Sequence, residues 1–451
     1  METISSSERD KTAEIDRCLS MIVPSASDES KFVGMLILPK LLDQNKPQDI
    51  ERVFQGMNFK FIERLLRTNQ TADAQIPDPV LKEIAVNVLS CFAHYDNLAI
   101  KQDMADRIPA LSRLLIPHDT LSKDILDLLI HIAIKKEGLV RMLDPDVLKN
   151  VFHVLLNTDE QQEREKCTAL IVSVYRHSSE CLANQKIPSL YSATKYSLGT
   201  LISIMTDTLD QDQKQLKFEA LHILSAVLPH MSTEMMQQVK KEQANKLDGW
   251  LDTCLHGLRQ LLTSKLRDEQ RDQAFTLIAC LLRHFGHHWL FKSLQDTKLA
   301  RRKKEKATTD HSPAHQQFAI AHFPALLIHL VSIETKVMLD DINDRLNREL
   351  NEGKTIVNKT RQARQEAMIP MYFEILEAAL EYLSFHYEST GMDADMLLKL
   401  RNTLSDVMDV VMELLKFMQD TRDDLEQDMI AQACIRLVSI WMAEEGYEMP
   451  E

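Results

Sequence analysis

Apolar residues recur along this chain at helical spacing, in stretches that are separated by short polar breaks. In the segment Lys31–Leu66, for example, an apolar helix is followed by the polar break Asn45–Pro47 and then by further helical runs. Similar pieces follow at intervals of about one helical hairpin, which is the spacing of solenoid repeats. No single piece is long or apolar enough to bury itself, so each needs its neighbours to form a core.

Nine segments between residues 78 and 285 carry apolar residues at positions i, i+3, i+4 and i+7, and we predict a helix for each. They are Asp78–His94, Arg107–Ile116, Leu121–Ile134, Pro145–Leu156, Glu163–Tyr175, Tyr191–Thr206, Gln215–Leu228, Leu247–Leu262 and Asp268–Phe285. Further helices are predicted at Ala13–Ile22, Phe318–Leu330, Pro370–Tyr387, Ala394–Met418 and Asp424–Ala443.

The scarcity of glycine supports the same architecture. Only 10 of 451 residues are Gly, well below the roughly 7% that is usual for soluble proteins. Hairpin-rich sheets and phosphate-binding loops both need glycine, so neither is expected. We predict an all-α fold, an armadillo/HEAT-like α-solenoid in which stacked helical repeats form a right-handed superhelix.

The pattern divides the chain into four parts. We predict a flexible N-terminal segment with a short helix (1–28), armadillo-like helical repeats (29–294), a basic mobile loop (295–317) and continuing helical repeats (318–451). Within the last part, residues 331–368 are long, highly charged and only sparsely apolar, and they are predicted to form a projecting helical segment.

The net charge and the cysteines restrict the possible partners and the compartment. A net charge of −14 argues against nucleic acid as the main ligand, because phosphate binding needs a basic face, and it favours a protein partner of basic or mixed charge. The seven cysteines are widely spread without a CxxC motif, which indicates buried thiols in a reducing compartment. No secretory signal or apolar run of the ~18–20 residues that span a membrane occurs. We therefore predict a cytoplasmic protein without integral membrane association.

Candidate chemistry is sparse. His284, His287 and His288 have the spacing of a metal-binding helix face, but Gly286 is expected to end that helix, and we favour a polar helix end over a metal site. No motif for phosphate binding, nucleophilic catalysis or calcium binding occurs. We predict no enzymatic activity and no cofactor, and we assign Trp250, Trp289 and Trp441 to packing between helices.

Two groups of basic residues are candidates for contact with a protein partner. The first lies in the predicted loop and the second in the charged segment, neither of which is needed to close the stack. The basic run could also be a localisation signal, but we favour a solvated loop over both a signal and a partner site. The candidate residues are Arg301, Arg302, Lys303 and Lys304 in the loop, and Arg345 and Arg348 in the charged segment.

A series of short segments resembles the neurochondrin family of armadillo-like proteins in order and spacing. One of them, Val53–Thr68, contains an apolar pair, a Phe-x-Phe and an Arg-Leu-Leu. The others are Lys31–Lys40, Pro77–Leu81, Leu89–Phe92, Ile108–Leu111, Trp250–Leu251, Leu261–Lys265, Gly286–Trp289, Glu366–Pro370 and Ile440–Glu445. Because this family usually continues past the Trp441 motif, the resemblance implies a part of a longer protein or a short member.

The resemblance implies a non-enzymatic scaffold or regulator of signalling proteins, which would bind protein clients along an extended helical surface. The alternative is a transport or assembly adaptor, either a karyopherin-like carrier or a chaperone dedicated to one client. Self-association is also possible, because a final repeat without a cap can pair with a second copy.

Overall fold

A computed structural model of the chain describes residues 6–42, 47–69, 76–133, 136–243, 249–291, 323–352, 358–386, 392–421, 425 and 428–444. Within these ranges all regular structure is helical. The chain forms two compact units, Met1–Thr200 and Leu201–Glu451, and the boundary between them lies inside one helix. None of the described helices has the length and hydrophobicity needed to cross a bilayer.

The first unit contains twelve complete described helices and the start of a thirteenth. They are α1 (Ser6–Met21), α2 (Asp28–Leu41), α3 (Pro47–Gly56), α4 (Phe59–Leu66), α5 (Asp78–Ala93), α6 (Asp96–Ala99), α7 (Gln102–Ala105), α8 (Ile108–Ser112), α9 (Thr120–Ile132), α10 (Lys136–Met142), α11 (Pro145–Asn157), α12 (Gln161–Asn184) and α13 (Pro188–Gln211).

The second unit contains the end of α13 and the remaining helices. They are α14 (Gln215–Val227), a 3-10 turn (Leu228–His230), α15 (Thr233–Gln243), α16 (Trp250–Leu262), α17 (Asp268–Phe285), α18 (His288–Phe291), α19 (Phe323–Glu352), α20 (Lys359–His386), α21 (Ala394–Thr421) and α22 (Met429–Glu444).

Helices of the first unit pack in two layers. The long helices α2, α5, α9 and α12 contact one another in chain order, and the shorter α4, α8 and α11 form the second layer, each against the long helix that follows it. Helices α5, α9 and α12 begin at Asp78, Thr120 and Gln161, about 40 residues apart, which is the period of armadillo and HEAT repeats.

The second unit repeats this arrangement with longer helices. Its first layer runs through α14, α17, α20 and α22, while α19 packs on α20 and on α21, which in turn packs on α22. The predicted all-α, armadillo-like fold of stacked helical repeats is thus confirmed. Its core is built from the apolar stripes of successive helices, such as Ile125, Leu129 and Ile132 of α9, which are almost fully buried.

Two segments are more closely packed than their sequences led us to expect. Helix α1 contacts α2, and its Ile15 and Cys18 are buried, in the part of the chain for which a flexible segment with a short helix was predicted. In the charged segment 331–368, the described residues belong to α19 and α20 and include a buried face with Leu339 and Ile342. One apolar residue in every three or four is sufficient for a buried stripe, so a mostly charged helix can still belong to the stack.

One carboxylate lies fully inside the first unit. Glu163, in the first turn of α12, is completely buried, and its Oε2 accepts hydrogen bonds from Thr158 Oγ1 at 2.5 Å and from the His118 backbone N–H at 3.1 Å. His118 has a φ of 65°, a conformation that costs a non-glycine residue free energy. Glu163 therefore holds the turn between α8 and α9 against α12.

Replacing Glu163 by alanine should leave the His118 N–H and the Thr158 hydroxyl without their buried acceptor. We expect Glu163→Ala to lower the free energy of unfolding by about 1–3 kcal/mol, measured by urea denaturation. Glu165→Ala changes an exposed residue of the same helix and should have an effect within about 0.5 kcal/mol. Equal denaturation midpoints for Glu163→Ala and the unmodified protein would contradict this role.

The thiols are free and mostly inaccessible. Cys91 and Cys181 are half-buried, and the other five cysteines are buried. Burial raises the pKa of the other thiols, and for four of them the pKa is about 12. The buried cysteines are Cys18, Cys167, Cys254, Cys280 and Cys434.

Because the thiolate is the reactive form, Ellman's reagent should label no more than two cysteines quickly in the native protein, namely Cys91 and Cys181. Cys181 should react faster, since burial also raises the pKa of Cys91. All seven cysteines should react in guanidinium. Three or more fast thiols under native conditions would show that the stack opens more readily than its packing indicates.

Candidate functional site

The residues predicted to contact a partner are distributed over two regions. Arg345 and Arg348 lie on α19, where Arg348 is exposed and its guanidinium is 3.7 Å from Asp344. Arg345 lines a cavity of about 480 Å³ among α19, α20, α21 and α22. The remaining predicted residues, Arg301, Arg302, Lys303 and Lys304, lie outside the described residues.

The histidines that the sequence places at metal-binding spacing do not share one helix face. Helix α17 ends at Gly286, whose φ is 72°, as predicted. His284 is buried inside the second unit, with its Nδ1 3.1 Å from Thr233 Oγ1, whereas His287 and His288 follow the break. His284 is therefore a structural residue of the second unit.

A groove of about 940 Å³ opens in the first unit between the ends of several helices. It is lined by the turn after α1, by α2, α3 and α4, and by α6, α7 and the residues next to them. Its floor consists of the largely buried rings of Phe54, Phe59 and Phe61. Phe54 and Phe59 pack edge to face, with ring centroids 5.0 Å apart, which is a favourable arrangement of two aromatic rings.

Basic side chains predominate around this floor, in contrast to the acidic chain as a whole. Five cationic side chains and two anionic ones line the groove. The cations are Lys31, Lys60, Arg64, Lys101 and Arg107, and the anions are Glu51 and Asp103. We call these five cations and the three phenylalanines the basic groove.

Three of the cations are held in place by the protein. Asp28 lies 3.6 Å from Lys31 and 2.5 Å from Arg64, and the hydrogen bond from Arg64 holds the pKa of the Asp28 carboxyl below its ordinary value. The Arg64 guanidinium lies 4.8 Å from the centroid of Phe61, a cation–π distance. These contacts fix the direction of Arg64 and Lys31 before any ligand arrives.

Arg107 is fixed in the same way on the other side of the groove. Its guanidinium lies 5.3 Å from the centroid of Phe59, its Nη1 donates to the Asp103 carbonyl at 3.1 Å, and its Nε is 3.6 Å from Glu63. Arg107 is 8% exposed. Because Arg107 is largely removed from water, its charge attracts a nearby anion more strongly than an exposed charge would.

The other two cations, Lys60 and Lys101, are exposed. Neither forms an ion pair with another residue in the part of the chain that the structure describes. Their ammonium groups are therefore available to an anionic ligand that lies on the phenylalanine floor. The basic groove thus combines arginines with partners in the protein, exposed lysines and aromatic surface in one concave site.

The fold and this groove define an armadillo-like helical repeat protein. The family model for neurochondrin matches residues 9–451, nearly the whole sequence, and the chain belongs to the neurochondrin family. The family resemblance carried by the short segments is thereby confirmed.

Relatives in this family are distant in sequence but align over almost all of this chain. Neurochondrin from Xenopus laevis is 19% identical over 441 residues, covering 96% of this chain and 53% of the relative. The Drosophila melanogaster homolog is 21% identical over 458 residues, with 96% and 54% covered. Human neurochondrin is 20% identical over 446 residues, with 96% and 51% covered. The chain spans about half the length of the curated relatives it matches.

Solved structures give weaker matches. A crystal structure of an engineered protein matches with a TM-score of 0.40 and 15% identity, covering 94% of this chain and 99% of the other. A designed armadillo repeat protein matches with a TM-score of 0.38 and 14% identity, covering 59% of this chain and 99% of the other.

The sequence pattern does not predict the basic groove. Its aromatic and basic residues come from positions as far apart as Lys31 and Arg107, and only the fold brings them together. One local signal exists, since Phe59, Lys60, Phe61 and Arg64 place aromatic and basic side chains close together within one short helix. This segment is also part of the family resemblance.

Asn58 connects the groove to the rest of the unit. Its Oδ1 accepts a hydrogen bond from the Phe61 N–H at 3.2 Å, which caps α4, and its Nδ2 donates to the Ile22 carbonyl at 3.3 Å.

We expect Asn58→Ala to lower the free energy of unfolding by about 1–2 kcal/mol, measured by urea denaturation. The exposed Asn69→Ala is the control and should be neutral. Equal stability of both variants would show that α4 does not need this cap.

Proposed function

We propose that this protein is a non-enzymatic scaffold or regulatory adaptor of the neurochondrin type, which acts in the cytoplasm and binds an acidic segment of a protein client in the basic groove. The observation that carries the proposal is the presence of exposed Lys60 and Lys101 beside a floor of phenylalanine rings. The groove is concave, and its cations come from four different structural elements.

The client segment that fits this groove carries carboxylates and apolar side chains close together. Its carboxylates would pair with Lys60 and Lys101 at the rim, while an apolar side chain would contact the rings of the floor. Arg64 and Arg107 are already ordered by ion pairs and cation–π contacts. A ligand that pairs with them therefore loses less conformational free energy than one that must order flexible side chains.

The negative charge of the whole chain favours binding of an acidic segment at the basic groove over binding elsewhere on the surface. At a net charge of −14, most of the surface repels an acidic segment, so electrostatic complementarity exists mainly at the basic groove. Repulsion elsewhere increases specificity, because it disfavours alternative modes of binding. The expectation of a basic or mixed partner followed from the net charge, whereas this groove favours an acidic segment within the client.

A transport or assembly adaptor remains the second candidate. A karyopherin-like carrier or a dedicated chaperone would use the same type of helical stack. Release of the bound client by a GTP-loaded Ran-type GTPase would favour the carrier, and retention of the client would favour a scaffold. Arg345 and Arg348 on α19, together with the basic run 301–304, stay predicted contacts of a second site.

Charge reversal in the groove tests the proposal directly. We expect the double variant Lys60→Glu, Lys101→Glu to bind a fluorescein-labelled peptide of alternating glutamate and leucine about tenfold more weakly than the unmodified protein. Each lost exposed pair is worth up to about 1 kcal/mol, and the new carboxylates add repulsion. Fluorescence anisotropy at low salt measures the dissociation constants, and added salt should reduce the difference.

The matched control is the double variant Lys149→Glu, Lys186→Glu, which reverses two exposed lysines of the same unit outside the groove. It produces the same net charge, so equal losses in the two variants would reveal a general charge effect and would overturn the groove assignment. Crosslinking mass spectrometry on the endogenous complex then identifies the client and shows whether it contacts the groove or the surface around Arg345.

A further inference from the structure

A cluster of chemically active side chains lies in the second unit and shares no residue with the basic groove. It consists of His287, which follows the end of α17, His288, which begins α18, and His386, the last residue of α20. One ring nitrogen from each of the three imidazoles lies within 4.8 Å of the others. We call these three residues the histidine cluster.

The fold brings this cluster together at two helix ends. Gly286 adopts a φ of 72°, which turns the chain out of α17 and lets His287 and His288 face α20. The ring centroids of His288 and His386 are 4.8 Å apart, and those of His287 and His288 are 4.4 Å apart. Nearly one hundred residues separate the two parts of the cluster in sequence, so spacing rules could not reveal it.

The two nitrogens of His287 have different surroundings. Its Nδ1 lies 3.3 Å from the carboxylate of Glu381, whereas its Nε2 is buried and has no hydrogen-bond partner in the structure. A carboxylate on one ring nitrogen, with the other nitrogen left for an ion, is the usual arrangement of metal-binding histidines. The carboxylate fixes the tautomer and makes the imidazole a better ligand.

We propose that His287, His288 and His386 bind one Zn²⁺ ion, with Glu381 orienting His287 and a water molecule in the fourth position. Neutral imidazole is a preferred ligand of zinc. Zinc–nitrogen bonds of about 2.0–2.1 Å place the nitrogens of a tetrahedral site about 3.4 Å apart. Binding therefore requires the side chains to close by a little over 1 Å, which rotation of the exposed His288 and the helix-terminal His386 can supply.

The cluster joins two separate parts of the second unit, since His287 and His288 follow α17 and His386 ends α20. Zinc at this position would connect the turn after α17 to the end of α20 and stabilise the second unit.

The alternative role of the cluster is packing without an ion. Tyr382 lies among the three imidazoles, with ring centroids 5.6 Å from His287, 5.9 Å from His288 and 5.4 Å from His386. Such contacts would hold the rings in place whether or not a metal binds. Only a measurement of metal binding separates the two roles.

The test uses the full chain without a histidine tag, stripped of metal with a chelator. After equilibrium dialysis against Zn²⁺, elemental analysis should find one zinc per chain, and calcium or magnesium should not compete. The double variant His288→Ala, His386→Ala should retain no stoichiometric zinc. His153→Ala, which changes an exposed histidine of the first unit, should bind zinc like the unmodified protein.

Two further measurements distinguish the loss of a zinc ligand from misfolding of the variant. Co²⁺ should give the visible absorption of a tetrahedral site in the unmodified protein and lose it in the double variant. Glu381→Gln, which keeps all three ligands, should weaken zinc binding about 10- to 100-fold. Absence of stoichiometric zinc in the unmodified protein, or equal binding in the double variant, would overturn the proposal and leave an aromatic packing cluster.

Discussion

Every part of this structure depends on helices burying one another's apolar faces, because none of them has a core of its own. Helix α5, for example, lies between α2 and α9, and its Ala85, Leu89 and Phe92 are completely buried. Apolar surface contributes about 25 cal/mol per Å² when it is removed from water, and here that gain exists only when the neighbouring helix is present. The apolar faces of the helices are thus used for packing.

The burial of apolar helix faces against one another explains where polar groups occur inside the stack. Glu163 is buried because the hydroxyl of Thr158 and the N–H of His118 satisfy one of its oxygens. In the second unit, Arg364 donates to Asp272 at 2.6 and 2.9 Å, and the Tyr372 hydroxyl donates to the same carboxylate at 3.3 Å. Burying a charge without partners would cost several kcal/mol, so these polar groups occur where two or three helices meet and supply partners.

Local pattern predicted many of the helices, but it missed α10 and α15 and did not predict the full length of α12 and α19 or the contacts between helices. The predicted helix Asp268–Phe285 agrees with the structure at both ends, because a polar start, an apolar stripe and a terminal glycine all act locally. The helix predicted from Pro370 instead begins at Lys359 and passes through the proline; burial of Met368 and Tyr372 compensates for the hydrogen bond that proline removes. The basic groove and the histidine cluster were not predicted, since both depend on residues that only tertiary packing brings together.

The two candidate sites follow from the same geometry. At both sites, side chains from different helices meet near places where helices end and the chain turns. Asn58 caps α4 and thereby positions Phe61 in the floor of the basic groove, while Gly286 ends α17 and releases His287 and His288 from its face. Variation at these turns can change what each unit binds without altering the buried stripes that hold it together. The core requires only apolar residues at helical spacing, whereas a binding site requires particular side chains at a few positions.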